Sequence, residues 1–467
     1  MKRVHSGQFP PTKKAKTAPS AAWAKRFAAL GPLDEQQQAA FDAIKGRRNV
    51  FLTGEAGCGK TRVTEHVLKA FVDMFGPSGV LAVSTTNLVA GALGGETIHA
   101  AFGVGIHELT HEARFQRHNR AVDDKLREIE LLIIEEISMV HPDLFEYMDY
   151  ALRAIGRSSA PFGGVQVFMV GDFFQLGPIF KRGETVVYTF ETDAWRRLRP
   201  RVMCLTVNHR QDTDAEFLRA LALIRLGRAD EDVRALLGTR MVAQADRPPL
   251  GRVPYLTPLR RDVAQQNETY LASLDGPMRT FQAHDERLRP GADAGLAALT
   301  IESTLRLKRG ALVMFLATMA DDGVVNGTTG HVVDFLHPSG ARITEQGDAE
   351  WNAGTTSCAR VLVRLKDGRL ITVGPATREV LLRNDVVAKR TQITLCVAAA
   401  LTVHKSQGMT LDEVVVDGSD IFTDGHFYVA VSRCRSLEGL TLVGVNWARV
   451  TASQKVIDFY VRALECK

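Results

Sequence analysis

The feature that most constrains the fold is a glycine-rich turn between an apolar run and a helical pattern. The stretch VFLTGEAGCGKTRVTEHVLKAF contains the spacing Gly54-x-x-x-x-Gly59-Lys60-Thr61. Glycines let successive backbone N–H groups point at phosphate oxygens, and a helix that begins at Lys60 adds its positive end. Lys60 then reaches the β- and γ-phosphates, and the Thr61 hydroxyl binds Mg²⁺. The strand, turn and helix together predict a P-loop that binds a nucleoside triphosphate.

Two adjacent carboxylates follow a second apolar run, LLIIEEISMV. Short apolar runs of this kind predict strands that are buried on both faces. A P-loop needs an acidic strand for its metal, and Glu135 and Glu136 supply it. We expect Glu135 to lie near Mg²⁺, partly through water, and Glu136 to orient or deprotonate the attacking water. The usual residue at the first position is aspartate, so the longer Glu135 side chain either approaches the metal directly or displaces its water shell.

Alternating apolar strands and helical segments predict an α/β protein with parallel sheets. The 467 residues are 45% hydrophobic and 24% charged, a mixture typical of globular proteins. No apolar stretch approaches the roughly 18 residues of a membrane span, so we expect no membrane association. The six cysteines are scattered without a C-x-x-C pair, which disfavours a zinc site or a disulfide framework.

Basic residues are concentrated in the first 33 positions, which hold seven Lys or Arg and no acidic residue. Since the whole chain carries +5, the rest carries −2, and any nucleic-acid surface must be local. Segment 1–30 is rich in Pro, Ser, Thr and Lys, and we expect it to be disordered. Its KKAK run suits a nuclear signal that binds an import receptor. The lack of acids also suits a mitochondrial presequence, and a solvated basic arm is the third alternative.

Six further segments stand in a fixed order between Leu33 and Leu442. They are LDEQQQAAFDAI, STTNLVAGALGGETIHAAFGV, PFGGVQVFMVGDFFQLGPI, LTVNHRQ, RTQITLCVAAALTVHKSQGMTLDEVVVD and YVAVSRCRSLEGL. With the P-loop and the paired glutamates, they resemble the motifs of the petite-integration-frequency (Pif) DNA helicases of superfamily 1B, relatives of the RecD helicases. The resemblance covers nearly the whole chain apart from the basic tail.

The resemblance implies roles for individual residues. Gln37 reads the adenine edge, and Asp172 and Gln175 sense the γ-phosphate and couple it to the grip on DNA. The nucleotide is bound by Gln37, Gly54, Gly57, Gly59, Lys60, Thr61 and Arg62, and Mg²⁺ by Thr61 and Glu135. The catalytic residues are Lys60, Glu136, Gln175, Arg210 and Arg433, where the two arginines reach the γ-phosphate across a cleft. DNA is held by Thr86, Thr97, His99, His404, Lys405 and Ser406. Beside Glu135, the chain departs from the family pattern at Asn87 and Gly177.

The resemblance also implies an architecture of two RecA-like P-loop domains with ATP between them. The predicted first domain spans 31–205 and carries a small wedge insert at about 105–120. The second spans 206–299 and 392–467, interrupted by an SH3-like β-barrel at 300–391, where strand alternation and turn signals support β structure. Three histidines in the wedge segment are expected to be exposed polar residues rather than metal ligands.

The implied function is an ATP-dependent 5′-to-3′ DNA helicase. It translocates on single-stranded DNA and unwinds forked, duplex or structured DNA in replication, repair, recombination or telomere maintenance. We expect a monomer in solution and a nuclear location, with the mitochondrion as the alternative. Two other functions stay open: a RecD-type helicase of another pathway, and an ATP-dependent DNA-binding clamp with weak hydrolysis, which the departures at Glu135, Asn87 and Gly177 favour.

Overall fold

A computed structural model describes residues 30–465, except 86–92, 105–109, 117–119, 157, 181–182, 211–213, 290–291, 298, 300, 318, 320–321, 325–326, 338–358 and 383–384. The predicted basic tail therefore lies outside the described residues, apart from Leu30. None of the helices in the described part of the chain is both long and apolar enough to span a membrane.

The described residues form thirteen α-helices and twenty strands. The helices are α1 (Glu35–Lys45), α2 (Lys60–Phe75), α3 (Ile98–Ala101), α4 (His111–Phe115), α5 (Arg120–Glu128), α6 (Pro142–Gly156), α7 (Asp193–Leu198), α8 (Ala215–Arg225), α9 (Glu231–Gly238), α10 (Arg260–Ser273), α11 (Ala292–Ala297), α12 (His426–Val431) and α13 (Gln454–Glu465). The strands are β1 (Val50–Gly54), β2 (Val80–Ser84), β3 (Glu96–Thr97), β4 (Leu131–Glu135), β5 (Gln166–Val170), β6 (Arg201–Leu205), β7 (Tyr255–Thr257), β8 (Arg279–Gln282), β9 (His284–Arg287), β10 (Thr304–Leu307), β11 (Leu312–Phe315), β12 (Thr329–Leu336), β13 (Arg360–Leu365), β14 (Leu370–Val373), β15 (Pro375–Leu382), β16 (Asp385–Ile393), β17 (Leu395–Val397), β18 (Ala400–Thr402), β19 (Val414–Asp417) and β20 (Leu440–Val443).

The first sheet is parallel and has the strand order β3-β2-β4-β5-β1-β6. Every residue of β1, β4 and β5 is buried, which explains why these strands are apolar runs. On one face, Val50 and Leu52 pack with residues of α1 and α2. On the other, Phe51 packs with residues of α6 and α7. Because the strands are parallel, the P-loop and the two glutamates lie at the same edge of the sheet.

The second sheet is also parallel, with the order β18-β7-β19-β20. Alternate residues of its strands pack on opposite faces, as Leu256 and Val416 join the larger core and Tyr255 and Val415 the smaller one. The loop after β18 contains the HKSQG segment and lies at the carboxyl edge of this sheet. The two parallel sheets confirm the predicted α/β class.

Three antiparallel sheets interrupt the second half. They have the orders β14-β13-β12-β11-β17, β15-β16-β9 and β10-β8. Strands β8 and β9 precede residue 300, yet they pair with β10 and β16. Strand β17 follows residue 391 and pairs with β11. The antiparallel unit therefore extends beyond the predicted bounds of 300 and 391 at both ends, because pairing partners that are distant in sequence carry no local signal.

The C-terminal helix α13 packs on the first sheet, although the sequence assigns it to the second domain. Val456 and Tyr460 are buried in the core that contains Phe51 and Phe173. Phe459 stacks on Phe190 with ring centroids 4.3 Å apart. The amphipathic pattern of α13 predicts a buried face but not the sheet against which that face packs.

The predicted wedge segment is described only from residue 110 to 116 and at residue 120. Helix α4 lies against α6, where the His111 ring nitrogen Nε2 is 2.9 Å from an Asp143 carboxylate oxygen. Arg114 donates a hydrogen bond to the second oxygen of Asp143. The histidines at 107 and 118 lie outside the described residues.

Candidate active site

The turn after β1 is shaped by glycines at positions where neighbouring atoms leave no room for a Cβ. Gly59 has φ +76°, and a Cβ there would lie 2.4 Å from the Gln37 amide nitrogen. Gly57 has φ +94°, and a Cβ there would lie 2.7 Å from the Cβ of Arg210. The left-handed backbone and the close neighbours both favour glycine. The predicted cradle is present, and Gly54 opens it with its own positive φ of +143°.

Lys60 lies at the start of α2 with its ammonium folded back on the loop. Its Nζ donates to the carbonyl oxygens of Gly54, at 2.7 Å, and Glu55, at 2.9 Å. In the described residues it forms no ion pair with a carboxylate. A lysine that bonds only neutral carbonyls keeps its whole charge for an incoming anion.

The two glutamates have different surroundings, as the sequence predicts. The Glu135 side chain is buried and accepts a 2.7 Å hydrogen bond from the Thr64 hydroxyl. Burial raises the pKa of Glu135 to about 7, opposed by the Thr64 hydrogen bond and reinforced by Glu136. A buried carboxylate with so high a pKa is stabilised by a nearby cation, and Thr61 is exposed at the adjoining cavity. This donor set fits Mg²⁺, which prefers oxygen ligands.

Glu136 is strained and points to the opposite side of the cleft. Its backbone is left-handed, with φ 52° and ψ 48°, a conformation that costs about 1–2 kcal/mol for a residue other than glycine. The Gln407 amide donates a 3.0 Å hydrogen bond to its carboxylate. Burial raises the pKa of Glu136, and the opposing effects of Lys60 and of the Gln407 hydrogen bond are smaller.

One cavity of about 450 Å³ brings the predicted catalytic residues together. Its lining is Ala56, Gly57, Gly59, Lys60, Thr61, Glu136, Gln175, His209, Arg210, Gly408, Thr410, Arg433 and Arg435. All five residues predicted to be catalytic belong to this set. They come from the edge of the first sheet, the segment after β6, and the region of α12, so no single local motif could build the cavity.

Arg210 and Arg433 face the P-loop without carboxylate partners in the described residues. Arg210 donates a 2.9 Å hydrogen bond to the Ser432 carbonyl oxygen, and Arg433 donates to the carbonyl oxygen of Val429 and to the Ser432 hydroxyl. Burial and the neighbouring Arg433 lower the pKa of Arg210 to about 9. A guanidinium whose charged form is disfavoured by burial and by a second guanidinium is stabilised by an anion between the two. Their arrangement with Lys60 suits a polyphosphate.

Asp172 is engaged elsewhere, which differs from the direct γ-phosphate sensing that the resemblance implies. Both of its carboxylate oxygens accept hydrogen bonds from Arg225 of α8, at 2.9 and 2.8 Å. Burial alone would raise the pKa of Asp172, but Arg225 outweighs it and the pKa is lowered. Gln175, in contrast, lines the cavity. Asp172 thus ties the first sheet to α8, and Gln175 remains beside the nucleotide cavity.

Gln37 and Arg62 lie beside the cradle rather than in the cavity lining. Gln37 is buried, forms a reciprocal cap with Asp34 at the start of α1, and lies 3.5 Å from the Cys58 carbonyl oxygen. Its amide nitrogen is 3.4 Å from a ring nitrogen of His209. The Arg62 guanidinium lies against Gly31. Gln37 is therefore at the mouth of the P-loop, and the contacts of Arg62 are with the segment before α1.

The predicted DNA-binding residues are dispersed. Thr86, like Asn87, lies outside the described residues. The Thr97 hydroxyl caps α3, and His99 lies on the exposed side of that helix. His404 and Lys405 are partly exposed at the loop after β18. Ser406 is fully buried and donates to the Val403 carbonyl oxygen, so its hydroxyl does not face the surface.

Sequence reasoning missed several residues that tie the two halves together. The Tyr428 hydroxyl accepts a 3.0 Å hydrogen bond from the Ala56 N–H in the P-loop, and Asn208 donates to the Ala56 carbonyl oxygen. The Tyr460 hydroxyl lies 2.6 Å from the Thr53 hydroxyl. Thr64, which donates to Glu135 within the first half, was also missed. It alone had a local signal, because it lies one helical turn after Lys60 on α2. The others join segments more than 150 positions apart.

Comparison with known proteins identifies relatives along most of the chain. A profile of the PIF1-like helicase family matches residues 32–234. The ATP-dependent DNA helicase PIF1 of Mus musculus is 32% identical over 435 residues, covering 92% of this chain and 62% of the relative. The ATP-dependent DNA helicase Pif1 of Bdellovibrio bacteriovorus is 31% identical over 435 residues, covering 92% of this chain and 91% of the relative. The chain spans slightly under two thirds of the mouse and human relatives.

Solved structures share the fold. The crystal structure of Pif1 helicase from Candida albicans has a TM-score of 0.79 and 31% identity, covering 92% of this chain and 99% of that chain. The Pif1 helicase from Bacteroides in complex with ADP-AlF3 and ssDNA has a TM-score of 0.68 and 28% identity, covering 94% and 98%. These likenesses confirm the predicted RecA-like core of parallel sheets.

Proposed function

The chain belongs to the PIF1-like helicase family, and from this premise we propose that it is an ATP-dependent DNA helicase moving 5′ to 3′ along single-stranded DNA. One observation carries the proposal. Lys60, Glu136 and Gln175 from the first sheet share a single cavity with Arg210 and Arg433 from beyond it. The similar Bacteroides protein holds ADP-AlF3 and ssDNA, which supports both ligands here.

Hydrolysis at this cavity uses the charges that line it. Lys60 and the two arginines bind the phosphates, and the arginine pair stabilises the charge that develops on the γ-phosphoryl group. Glu136 takes a proton from a water whose oxygen bonds to the γ-phosphorus, while the bond to the β–γ bridging oxygen breaks and ADP leaves. Thr61 and Glu135 would hold Mg²⁺, partly through water, and the ion supplies neutralisation of the phosphate charge.

Motion follows from the contacts that cross the cleft. The P-loop contacts the second half through Tyr428 and Asn208 at Ala56, and Glu136 contacts it through Gln407. ATP placed between Lys60 and the arginines favours a closed cleft, and loss of the γ-phosphate removes that bridge. The protein then steps along a DNA strand that Thr86, Thr97 and His99 hold on one side and His404 and Lys405 on the other. Ser406 would have to turn outward to join them.

The smaller parts of the architecture receive roles in the same scheme. We assign the antiparallel strands from β8 to β17 as the SH3-like barrel insert that walls the DNA channel, and the segment around α4 as the wedge at the fork. Helix α4 is held against α6 through Asp143, which would give a wedge a firm base. The nucleotide lies between domains 31–205 and 206–467, with α13 returning to the first.

The biological setting is proposed from the family and from the tail. The substrates are single-stranded and forked DNA, in replication, repair, recombination or telomere maintenance, and the protein acts as a monomer in solution. The basic tail binds an import receptor and directs the chain to the nucleus, with the mitochondrion as the alternative destination. A fusion of residues 1–30 to a fluorescent protein tests the subcellular location. Nuclear accumulation supports the nuclear proposal, and a mitochondrial or uniform signal contradicts it.

The activity is tested by ATP turnover of the purified chain with and without single-stranded DNA. We expect strong stimulation by DNA, and loss of turnover in Lys60→Ala because the phosphates lose their point charge. The DNA-bound fraction of Lys60→Ala is measured in parallel, so that a folding defect is recognised. Turnover that DNA leaves unchanged would favour a clamp with weak hydrolysis, and normal turnover in Lys60→Ala would remove the P-loop from its role.

A further inference from the structure

A hydrogen bond joins the loop predicted to hold DNA to the residue predicted to activate water. The Gln407 amide nitrogen donates to a carboxylate oxygen of Glu136 over 3.0 Å. Gln407 is buried, at 3% exposed, and Glu136 is partly buried. His404 and Lys405, on the same short loop, are partly exposed. The loop therefore has one end at the surface and the other on the hydrolytic carboxylate.

The Gln407 amide is held at one end. Its carbonyl oxygen Oε1 is buried and has no hydrogen-bond partner among the described residues. An unpaired buried acceptor is costly, so this side chain has little to lose from a change of position. Gly408, which follows it, has φ +82° and lines the nucleotide cavity. The amide can therefore rearrange beside the nucleotide without a steric barrier from the next residue.

The rest of the loop is tight enough to transmit a displacement. The Ser406 hydroxyl donates to the Val403 carbonyl oxygen, and the Ser406 N–H donates to the carbonyl oxygens of Thr402 and Val403. The Lys405 N–H donates to the Thr402 hydroxyl. These bonds make residues 402–406 a compact turn. A phosphate that pulls on His404 or Lys405 would move Gln407 with them.

We propose that Gln407 restrains Glu136 in the DNA-free protein and releases it when single-stranded DNA occupies the loop at residues 404–406. Gln407 is thus a positioning residue that makes hydrolysis depend on DNA. The inference rests on the proposed function, since it requires ATP hydrolysis at this cavity. It goes further by naming the bond through which DNA acts.

The restraint acts on the position of the carboxylate. The Gln407 amide holds one oxygen of Glu136 at 3.0 Å and so keeps the carboxylate from turning toward an attacking water. Lys60 and Arg433 line the same cavity as Glu136 and remain in place when Gln407 alone is changed. Removal of the amide therefore frees Glu136 without removing a charged group from the cavity.

The test compares Gln407→Ala and Gln407→Met with the wild-type chain by ATP turnover, with and without an oligo-dT strand, over a range of ATP concentrations. Methionine keeps the side-chain volume and lacks the donor, which guards against a packing defect. We expect DNA-free turnover to rise roughly 3- to 10-fold, as loss of one restraining hydrogen bond allows. Turnover at saturating DNA should stay within about twofold, because DNA has already broken the bond. The DNA-free rise should appear in kcat, with the KM for ATP within about twofold, because Gln407 is not among the residues that line the nucleotide cavity.

Gln166→Ala is the matched control. Gln166 is also a buried glutamine, with its amide donating to the Ile44 carbonyl oxygen and its Oε1 without a hydrogen-bond partner among the described residues. It begins β5, at the edge of the first sheet opposite the cavity, and its loss should leave DNA-free turnover unchanged. A DNA-free kcat that stays at or below the wild-type value in both Gln407 variants would overturn the inference alone. A wild-type chain without ATP turnover would refute the proposed function and the inference with it.

Discussion

Replacement of Glu135 by glutamine should stabilise the nucleotide-free protein, and only above a certain pH. Burial raises the pKa of Glu135 from its ordinary value of 4.5 to about 7. At 1.36 kcal/mol per pKa unit, ionising this carboxyl in the folded state costs about 3 kcal/mol. The Thr64 hydroxyl can still donate to the glutamine oxygen, so Glu135→Gln removes the charge and keeps the contact.

The sign of the pH dependence follows from the raised pKa. Between pH 4.5 and 7 the folded protein binds a proton that the unfolded chain has released, so stability falls as pH rises through this window. The loss of folding free energy from ionised Glu135 is complete above about pH 7 and is less than about 1 kcal/mol at pH 5. The free energy of unfolding of Glu135→Gln should therefore exceed that of the wild type by about 3 kcal/mol at pH 8 and by little at pH 5.

Urea unfolding of both proteins at pH 5 and pH 8, in EDTA and without nucleotide, measures this difference. Glu413→Gln, which changes an exposed carboxylate, is the control and should show no comparable gain. An equal gain for Glu135→Gln at both pH values would show that its effect is not electrostatic. No gain at pH 8 would refute the reasoning that this carboxylate awaits a cation.

Three further changes test other contacts. Glu136→Gln should bind ATP and DNA while turnover falls at least 100-fold, the lower range for loss of a general base; wild-type turnover by phosphate release would remove Glu136 from its role. Arg225→Met should lower the free energy of unfolding by about 3–5 kcal/mol, because Asp172 is left buried without its partner; adding Asp172→Asn should recover part of the loss in urea unfolding, and no recovery would argue against a specific pair. Tyr460→Phe should cost about 1–3 kcal/mol, since it leaves the buried Phe173 N–H without its acceptor, and an unchanged melting temperature would contradict this.

Local chemistry made much of the first sheet predictable. The apolar runs at β1 and β4 are buried strands, because a parallel sheet covered on both faces needs side chains that are apolar on both sides. The glycine spacing after β1 produces the turn, and α2 begins at Lys60 as expected. Lys60, Glu136 and Gln175 meet in one cavity because the parallel strands β1, β4 and β5 end at a common edge.

Contacts between distant segments could not be read in the same way. Arg225 lies on an ordinary amphipathic helix, and nothing near it in sequence points to Asp172. Tyr460 is 407 positions from Thr53, yet their hydroxyls are 2.6 Å apart. Gln407 directly follows the predicted DNA-binding residues 404–406, but nothing near it in sequence gives a reason for its bond to Glu136. Such pairs are fixed by how the sheets pack, which side-chain patterns along one segment do not encode.

Strand displacement from tailed duplexes tests the central claim most directly. The purified chain with ATP and Mg²⁺ is given the same duplex with either a 5′ or a 3′ single-stranded tail, and Lys60→Ala serves as the inactive control. A 5′-to-3′ motor should separate the 5′-tailed duplex and leave the 3′-tailed one intact. Unwinding from the 3′ tail would contradict the direction, and DNA-stimulated turnover without any strand separation would contradict the helicase itself.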